Sequence, residues 1–379
     1  MKHLLDHCER ELTRTLETIE ALAAIESPST DKAAVDRCGA ELSRRLAAIG
    51  GDVELVRQRE RGDHILARFE GTAPGRPALL LGHFDTVWPV GTLERMPVRR
   101  DGDRLHGPGT FDMKAGIAIA MSAIAALRAT GTPHPPIVAL WTTDEEIGSG
   151  TSRTLIETSA RDAAGVLVLE PSLAGGALKT ARKGCGEYEL TVHGVAAHAG
   201  LDPGKGVSAI HELAAQIAAV ERLQDLPRGI SVNVGVVDGG SRPNVVAERA
   251  RAIVDVRAPT REAADRIDAV FRALQPLRPG ARLTVHGGFD RPPMERTAGG
   301  AALFAAAAAV AADLGRELGE GAAGGGSDGN FTAALGVPTL DGLGAIGDGA
   351  HAAHEHVDVP SLPWRGALTA GLIARITSV

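Results

Sequence analysis

The chain has 379 residues, 44% of them hydrophobic, and a formal net charge of −7. That length exceeds one ordinary hydrophobic core and calls for two domains, or one large domain carrying an insertion, while the apolar share excludes disorder and collagen-like repeats. The acidic balance argues against nucleic acid or an anionic membrane as main partner, because clustered Lys and Arg hold both.

Taken in order, Met1-Lys2-His3-Leu4-Leu5-Asp6-His7 runs straight into charge, which predicts no signal peptide. Leu4–Ile25 has apolar residues at helical spacing and stops at Ser27-Pro28; Asp31–Ile49 predicts a second helix, ended by Gly50-Gly51. Short apolar runs at Val53–Arg57, Ile65–Phe69, Ala78–Leu81, Ile137–Trp141 and Val166–Leu169 predict strands, with a helix over Lys114–Ala129. Strands alternating with helices imply an α/β domain with a mainly parallel sheet covered on both faces.

From about Gly184 the order becomes β-α-β-β-α-β: Tyr188–His193, Val207–Leu223, Ile230–Val237, Arg249–Val256, Arg261–Leu274 and Arg282–His286. That is the split βαβ pattern, a four-stranded sheet with two helices on one face. After Arg291-Pro292-Pro293 the earlier rhythm returns with Ala301–Leu314, Phe331–Leu335, Pro338–Leu340 and Ser361–Ile376. An α/β domain of residues 1–183 and 292–379, interrupted by an α+β domain at 184–291, is the expected organisation. The apolar run Ala301–Leu314 is too short for the roughly 20 residues of a membrane helix. Cys8, Cys38 and Cys185 form no CxxC pair, so neither a disulfide framework nor a thiolate zinc site is expected. Any metal must then be held by His and carboxylate, in a protein expected to be soluble and cytoplasmic.

Several motifs place such residues at strand ends. In Leu79-Leu80-Leu81-Gly82-His83-Phe84-Asp85, His83 and Asp85 share a face of an extended chain, and open parallel sheets bind ligands at the carboxyl ends of their strands. Alone, the pair also fits a half-buried His beside a turn-forming Asp. Gly107-Pro108-Gly109-Thr110-Phe111-Asp112-Met113-Lys114-Ala115-Gly116 puts Asp112 just before a long helix, where an N-cap is the plain alternative. Asp144-Glu145-Glu146 follows a buried strand; it reads as a solvated acidic face or as carboxylates that divide metal binding from proton transfer. Glu170 ends the strand Val166–Leu169, and His351, His354 and His356 cluster near the C-terminus. Two imidazoles and three carboxylates, His83, Asp112, Glu146, Glu170 and His351, would fully serve two cations bridged by one carboxylate.

In that order these motifs resemble the two-zinc amidohydrolases and exopeptidases that include glutamate carboxypeptidase, acetylornithine deacetylase, succinyl-diaminopimelate desuccinylase and aminoacylase. The likeness runs from Ile25-Glu26-Ser27-Pro28-Ser29 to the last His cluster. It implies an α/β phosphorylase/hydrolase-like zinc peptidase domain, interrupted by an α+β ferredoxin-like lid and dimerisation domain. It further implies two Zn2+ per subunit, with Co2+ or Mn2+ possible in their place: Asp112 bridges them, His83 and Glu170 complete one site, and Glu146 and His351 the other. By the same resemblance Asp85 orients His83, Glu145 is the general base, and the peptide bond after Asp112 is cis. The resemblance also implies that His198, in His193-Gly194-Val195-Ala196-Ala197-His198, stabilises the oxyanion across a dimer. It implies too that Asn244, Arg257, Arg291 and Ser327 contact substrate, with Arg291 clamping a free carboxylate by its planar fork; for both arginines a surface ion pair is the alternative. His354 and His356 are expected at the surface.

The implied reaction is amide hydrolysis of a small or short-peptide substrate with a free carboxylate, releasing a C-terminal amino acid. The alternatives are an N-acyl-amino-acid deacylase and a dipeptidase. A homodimer through the inserted domain is expected. The loop Gly324–Phe331 lacks the Lys-Ser/Thr ending of a P-loop, which argues against a nucleotide-dependent enzyme.

Overall fold

The computed structural model describes residues 1–376. They form two compact units, one of residues 1–180, 296–323 and 327–376, the other of 181–295 with 324–326. The inserted unit thus begins before residue 184 and ends after 291, because Arg182 and Met294 exchange backbone hydrogen bonds of 2.8 and 3.0 Å that extend its paired strands.

The larger unit is built on a six-stranded sheet. In spatial order its strands are Asp52–Val56, His64–Phe69, Ile137–Thr142, Ala78–His83, Gly165–Val168 and Thr339–Leu340. The last four run parallel, while Asp52–Val56 and His64–Phe69 pair antiparallel with their neighbours, so the sheet is mixed. Side-chain alternation in Ala78–His83 explains the layering. Ala78 and Leu80 face a core shared with the helices Lys2–Arg10, Leu12–Ala23, Lys32–Ala48, Ala115–Thr130, Ala298–Asp313 and Leu362–Arg375; Leu79 and Leu81 face the opposite core with Ile156, Ala160 and Phe331. The first helix breaks at Glu11 (φ −94°, ψ 11°) instead of running through from Leu4 to Ile25.

The stretch Thr110–Thr130 has the length and apolarity of a membrane span, a feature the sequence reading missed in favour of Ala301–Leu314; 83% of its most apolar window is buried inside the fold. Regular α-helix begins only at Ala115, and most of its apolar side chains are buried in the core.

Gly116 shows why the helix start needs glycine. A Cβ there would lie 2.0 Å from the carbonyl oxygen of Leu169, at the strand end that carries Glu170. Gly116→Ala is therefore expected to destabilise the fold by about 1–3 kcal/mol, as overpacking against unyielding backbone does. Urea unfolding followed by circular dichroism measures it, and an unchanged midpoint would remove this steric argument.

The inserted unit has strands Gly184–His193, Ser231–Gly239, Arg249–Ala258 and Arg282–Arg291, with helices Ala209–Glu221 and Arg261–Ala273. Spatially the sheet runs 231–239, 249–258, 184–193, 282–291, all antiparallel. Tyr188, Leu190, Val192, Val254 and Val256 pack under the helices with Ile267 and Phe271. The opposite sheet face carries Cys185, Glu187, Glu189, Arg251, Asp255 and Arg257, alternate residues of the same strands.

Candidate active site and metal centre

Strand order brings the motifs together. Ala78–His83 lies between Ile137–Thr142 and Gly165–Val168, all parallel, so His83, the Asp144–Glu146 turn and Glu170 emerge at one edge. Phe84 N–H donates to the Thr142 carbonyl (3.1 Å) and Leu169 N–H to that of Leu81 (2.9 Å), which fixes their relative heights. Asp112 comes from the irregular turn Thr110–Lys114, where the Asp112–Met113 peptide is cis. His351 comes from a loop in the left-handed region (φ 60°), unusual for a residue with a side chain and typical of functional sites.

The ligand atoms of His83, Asp112 and Glu170 form one triplet, and those of Asp112, Glu146 and His351 another, each within 4.8 Å of one another. His83 Nε2 is 3.4 Å from Asp112 Oδ1 and 3.3 Å from Glu170 Oε1. His351 Nε2 is 3.2 Å from Asp112 Oδ2 and 3.1 Å from Glu146 Oε2. Each oxygen of Asp112 thus faces a different triplet. These spacings exceed the usual N–H···O length of about 2.9–3.0 Å. They lie near the roughly 3.3 Å edge of a tetrahedron whose ligands sit about 2.0 Å from a central cation. Among the described residues Asp112 Oδ1 is buried with no hydrogen-bond partner, the condition of an oxygen that wants a cation. The donor set therefore fits divalent metal.

Burial alone would lower the His83 imidazole, but the neighbouring carboxylates of Asp112, Asp85 and Glu170 carry it well above its ordinary value. Asp112 and Glu146 push His351 up to about 10. Burial opposes ionisation of Asp112, yet the His351 and His83 rings beside it hold its carboxyl far below the usual range. Burial raises Glu146 despite its bond with His351.

Asp85, fully buried, supports the centre from behind. Its carbonyl accepts from His83 Nδ1 (3.1 Å), and its carboxylate Oδ1 is 3.4 Å from the same nitrogen. Its Oδ2 accepts from Ser29 Oγ (2.6 Å) and from Glu146 N–H (3.3 Å). The N-terminal Glu-Ser-Pro-Ser motif thereby braces the His83 strand end, and Ser27 Oγ donates to the Phe84 carbonyl (2.6 Å). Glu145 lies half-buried in the short turn Glu145–Ile147 and belongs to neither ligand triplet. Lys114 is fully buried and donates to the carbonyls of Leu22 (3.0 Å) and Ile25 (2.9 Å), tying the Asp112 turn to a helix C-terminus.

Other expected residues lie elsewhere. Ser327, also in the larger unit, is fully buried, and its hydroxyl donates to Asp341 Oδ2 (2.6 Å). His356 is buried on the strand His356–Asp358 with its ring 5.2 Å from that of His106, which corrects the surface reading, whereas His354 is exposed. Strand pairing with Arg104–His106 draws His356 inward.

In the inserted unit, His198 is exposed, and its Nδ1 accepts from the backbone N–H groups of Gly200 (3.1 Å) and Leu201 (3.0 Å). That pattern leaves Nε2 as the protonated donor of a neutral ring. Ala199 N–H donates to the carbonyl of exposed Asn244 (3.0 Å), so His198 and Asn244 share one turn cluster. Arg257 and Arg291 flank Cys185 on neighbouring strands. Arg257 grips Asp255 with Nε (2.9 Å) and Nη2 (2.6 Å), the ion pair held open as its alternative; Arg291 is buried against Gly326. The braces Ser29, Lys114 and Glu355 (0% exposed) escaped the sequence reading as functional positions; the Ser-Pro-Ser and Asp-Met-Lys motifs signalled the first two.

Known proteins resemble this chain over nearly its whole length. Carboxypeptidase G2 of Pseudomonas sp. (strain RS-16) is 32% identical over 366 residues, 94% of this chain and 88% of its own length. Among solved structures, the aminopeptidase PepT of Bacillus cereus superposes with a TM-score of 0.78 at 22% identity, covering 96% of this chain and 98% of its own. A dinuclear metal-binding M20 peptidase of Bacillus subtilis gives 0.69 at 15% identity, covering 98% and 99%. Residues 79–375, from the strand that delivers His83 to the final helix, match the profile of Peptidase family M20/M25/M40. This chain is a member of that family, a hydrolytic, metal-dependent peptidase.

Proposed function

We propose that this chain is a dinuclear zinc hydrolase of carboxypeptidase type, which releases a C-terminal amino acid from an N-acyl or peptidyl group. The observation that carries this reading is the division of Asp112 between two ligand triplets. His83, Asp112 and Glu170 would hold one cation, and Asp112, Glu146 and His351 the other; Co2+ or Mn2+ suits the same N/O donors. When bound, such a pair supplies Lewis acidity and lowers the pKa of water from 15.7 toward about 7.

In this reading Glu145 takes the proton of the attacking water and passes it to the leaving amine nitrogen. Asp85 holds the His83 ring and, through Glu146 N–H, steadies the turn on which Glu145 sits. His198 offers Nε2–H to the developing oxyanion, a donor of the kind worth about 2.7–4 kcal/mol in the transition state. Arg291 takes the free carboxylate of the substrate, with Asn244 and Ser327 as polar contacts of the same reading; the Asp255 pair gives Arg257 the smaller part.

Exposed Val236 and Val237 on the edge strand Ser231–Gly239 support a homodimer through the inserted unit. Three free cysteines, Cys8 and Cys38 among them buried, suit a reducing cytoplasm.

The test has two parts. Dialysis against a strong chelator should abolish hydrolysis, and zinc or cobalt should restore it. A panel of N-acyl amino acids and dipeptides, an N-acyl-glutamate included, should show release of the carboxylate-bearing amino acid. Full activity in the metal-free protein would overturn the proposal, and turnover confined to small N-acetyl groups would favour the deacylase alternative.

A further inference from the structure

One buried acid near the metal-binding residues belongs to neither ligand set. Glu355 is fully buried, and its carboxylate accepts four N–H groups. Oε1 takes those of Phe111 (2.9 Å) and Asp112 (3.0 Å); Oε2 takes that of Gly109 (2.9 Å) and the indole N–H of Trp88 (3.0 Å). Its own carbonyl accepts from Gly107 N–H at 3.5 Å. A carboxylate offers about four lone-pair directions, so this one is saturated by protein donors and has none left for a cation.

Glu355 and its partners belong to three separate parts of the chain. Trp88 follows the strand end bearing His83, Gly109 to Asp112 form the turn bearing the shared aspartate, and Glu355 closes the loop bearing His351. A single carboxylate therefore ties together segments that supply ligands to both cation positions. Its grip on the backbone N–H of Asp112 fixes that residue's Cα.

We infer that Glu355 is a positioning residue that pre-sets Asp112 between the two cations by holding the Gly107–Asp112 turn, the Trp88 loop and the His351 loop in one register. The inference rests on the two-metal reading above. Charge-assisted bonds from several backbone donors are the strong class of hydrogen bond, and they lock a turn that has no regular secondary structure of its own. Outer groups that orient metal ligands characteristically govern metal affinity by 10–100-fold.

The probe is Co2+ alone, added to the metal-stripped full-length protein. Glu355→Gln keeps the shape but turns an NH2 group toward two N–H donors. It is expected to weaken cobalt uptake by about 10–100-fold in chelator competition and to change the visible cobalt spectrum, with secondary structure retained. Trp88→Phe removes one donor of the four without stripping a buried charge. It should shift the same spectrum in the same direction by less, and it decides the matter if Glu355→Gln does not fold. Variants that bind cobalt with the affinity and spectrum of the unaltered protein, even with a lowered melting temperature, would reduce Glu355 to a structural role and overturn the inference. If the unaltered protein itself takes up no cobalt, the two-metal reading fails, and the inference with it; normal uptake with an unresponsive Glu355→Gln and Trp88→Phe defeats the inference alone.

Discussion

Glu145→Ala is expected to bind the same metal complement as the unaltered protein while its turnover falls by about 10²- to 10⁴-fold, the range a positioned general base contributes. Three acids in succession have three different fates. Asp144 is buried, and its Oδ2 accepts from the backbone N–H (2.6 Å) and hydroxyl (2.7 Å) of Thr151, which anchors the turn. Glu146 reaches His351 and belongs to a ligand triplet. Glu145 lies between them, half-buried and outside both triplets, at the strand edge where the ligands gather. Removing it deletes neither a ligand nor the anchor of the turn. Glu145→Gln, which keeps the shape and loses the basicity, should fall as far as Ala. Elemental analysis and single-turnover kinetics on the two variants check this, and a Gln variant with undiminished turnover strips Glu145 of the role.

The parts of the fold legible in the sequence were those where local pattern and tertiary burial agree. The strand Ala78–His83, buried throughout, reads as an apolar run, and the His83-x-Asp85 spacing alone places both residues on one side. The small sheet that shapes the Asp112 turn was illegible. Its four strands, Arg99–Asp101, Arg104–His106, Gly347–Asp348 and His356–Asp358, have only two or three residues each and present no periodic apolar face. The helix Arg153–Asp162 was missed because it buries only Ile156 and Ala160. Glu355 was visible merely as a residue four places after His351. Its partners lie 243 to 267 positions away in the chain, a distance no local pattern reports. His356 misled for a related reason: a histidine beside exposed histidines reads as surface until strand pairing turns it inward.

The metal centre itself yields the other large effect. Asp85, Asp112, Glu146 and Glu170 gather four carboxylates around two imidazoles, with His83 and Asp85 fully or almost fully buried. Four negative charges at such spacing are costly in a low-dielectric setting unless cations or protons offset them. Two divalent cations would offset all four; in their absence the same carboxylates hold the His83 and His351 imidazoles above their ordinary pKa. Because each Asp112 oxygen serves a different triplet, Asp112→Asn, whose amide nitrogen cannot ligate, should cost a cation as well as activity. The expected result is a fall from two bound metals to one or fewer and loss of nearly all hydrolysis. Glu170→Gln should weaken chiefly the position shared with His83, and His351→Ala the other. Metal content after dialysis against buffered zinc distinguishes these outcomes, since only the shared residue should disturb both positions. An Asp112→Asn protein that retains two tightly held cations would mean that the triplets are independent and that no bridge exists.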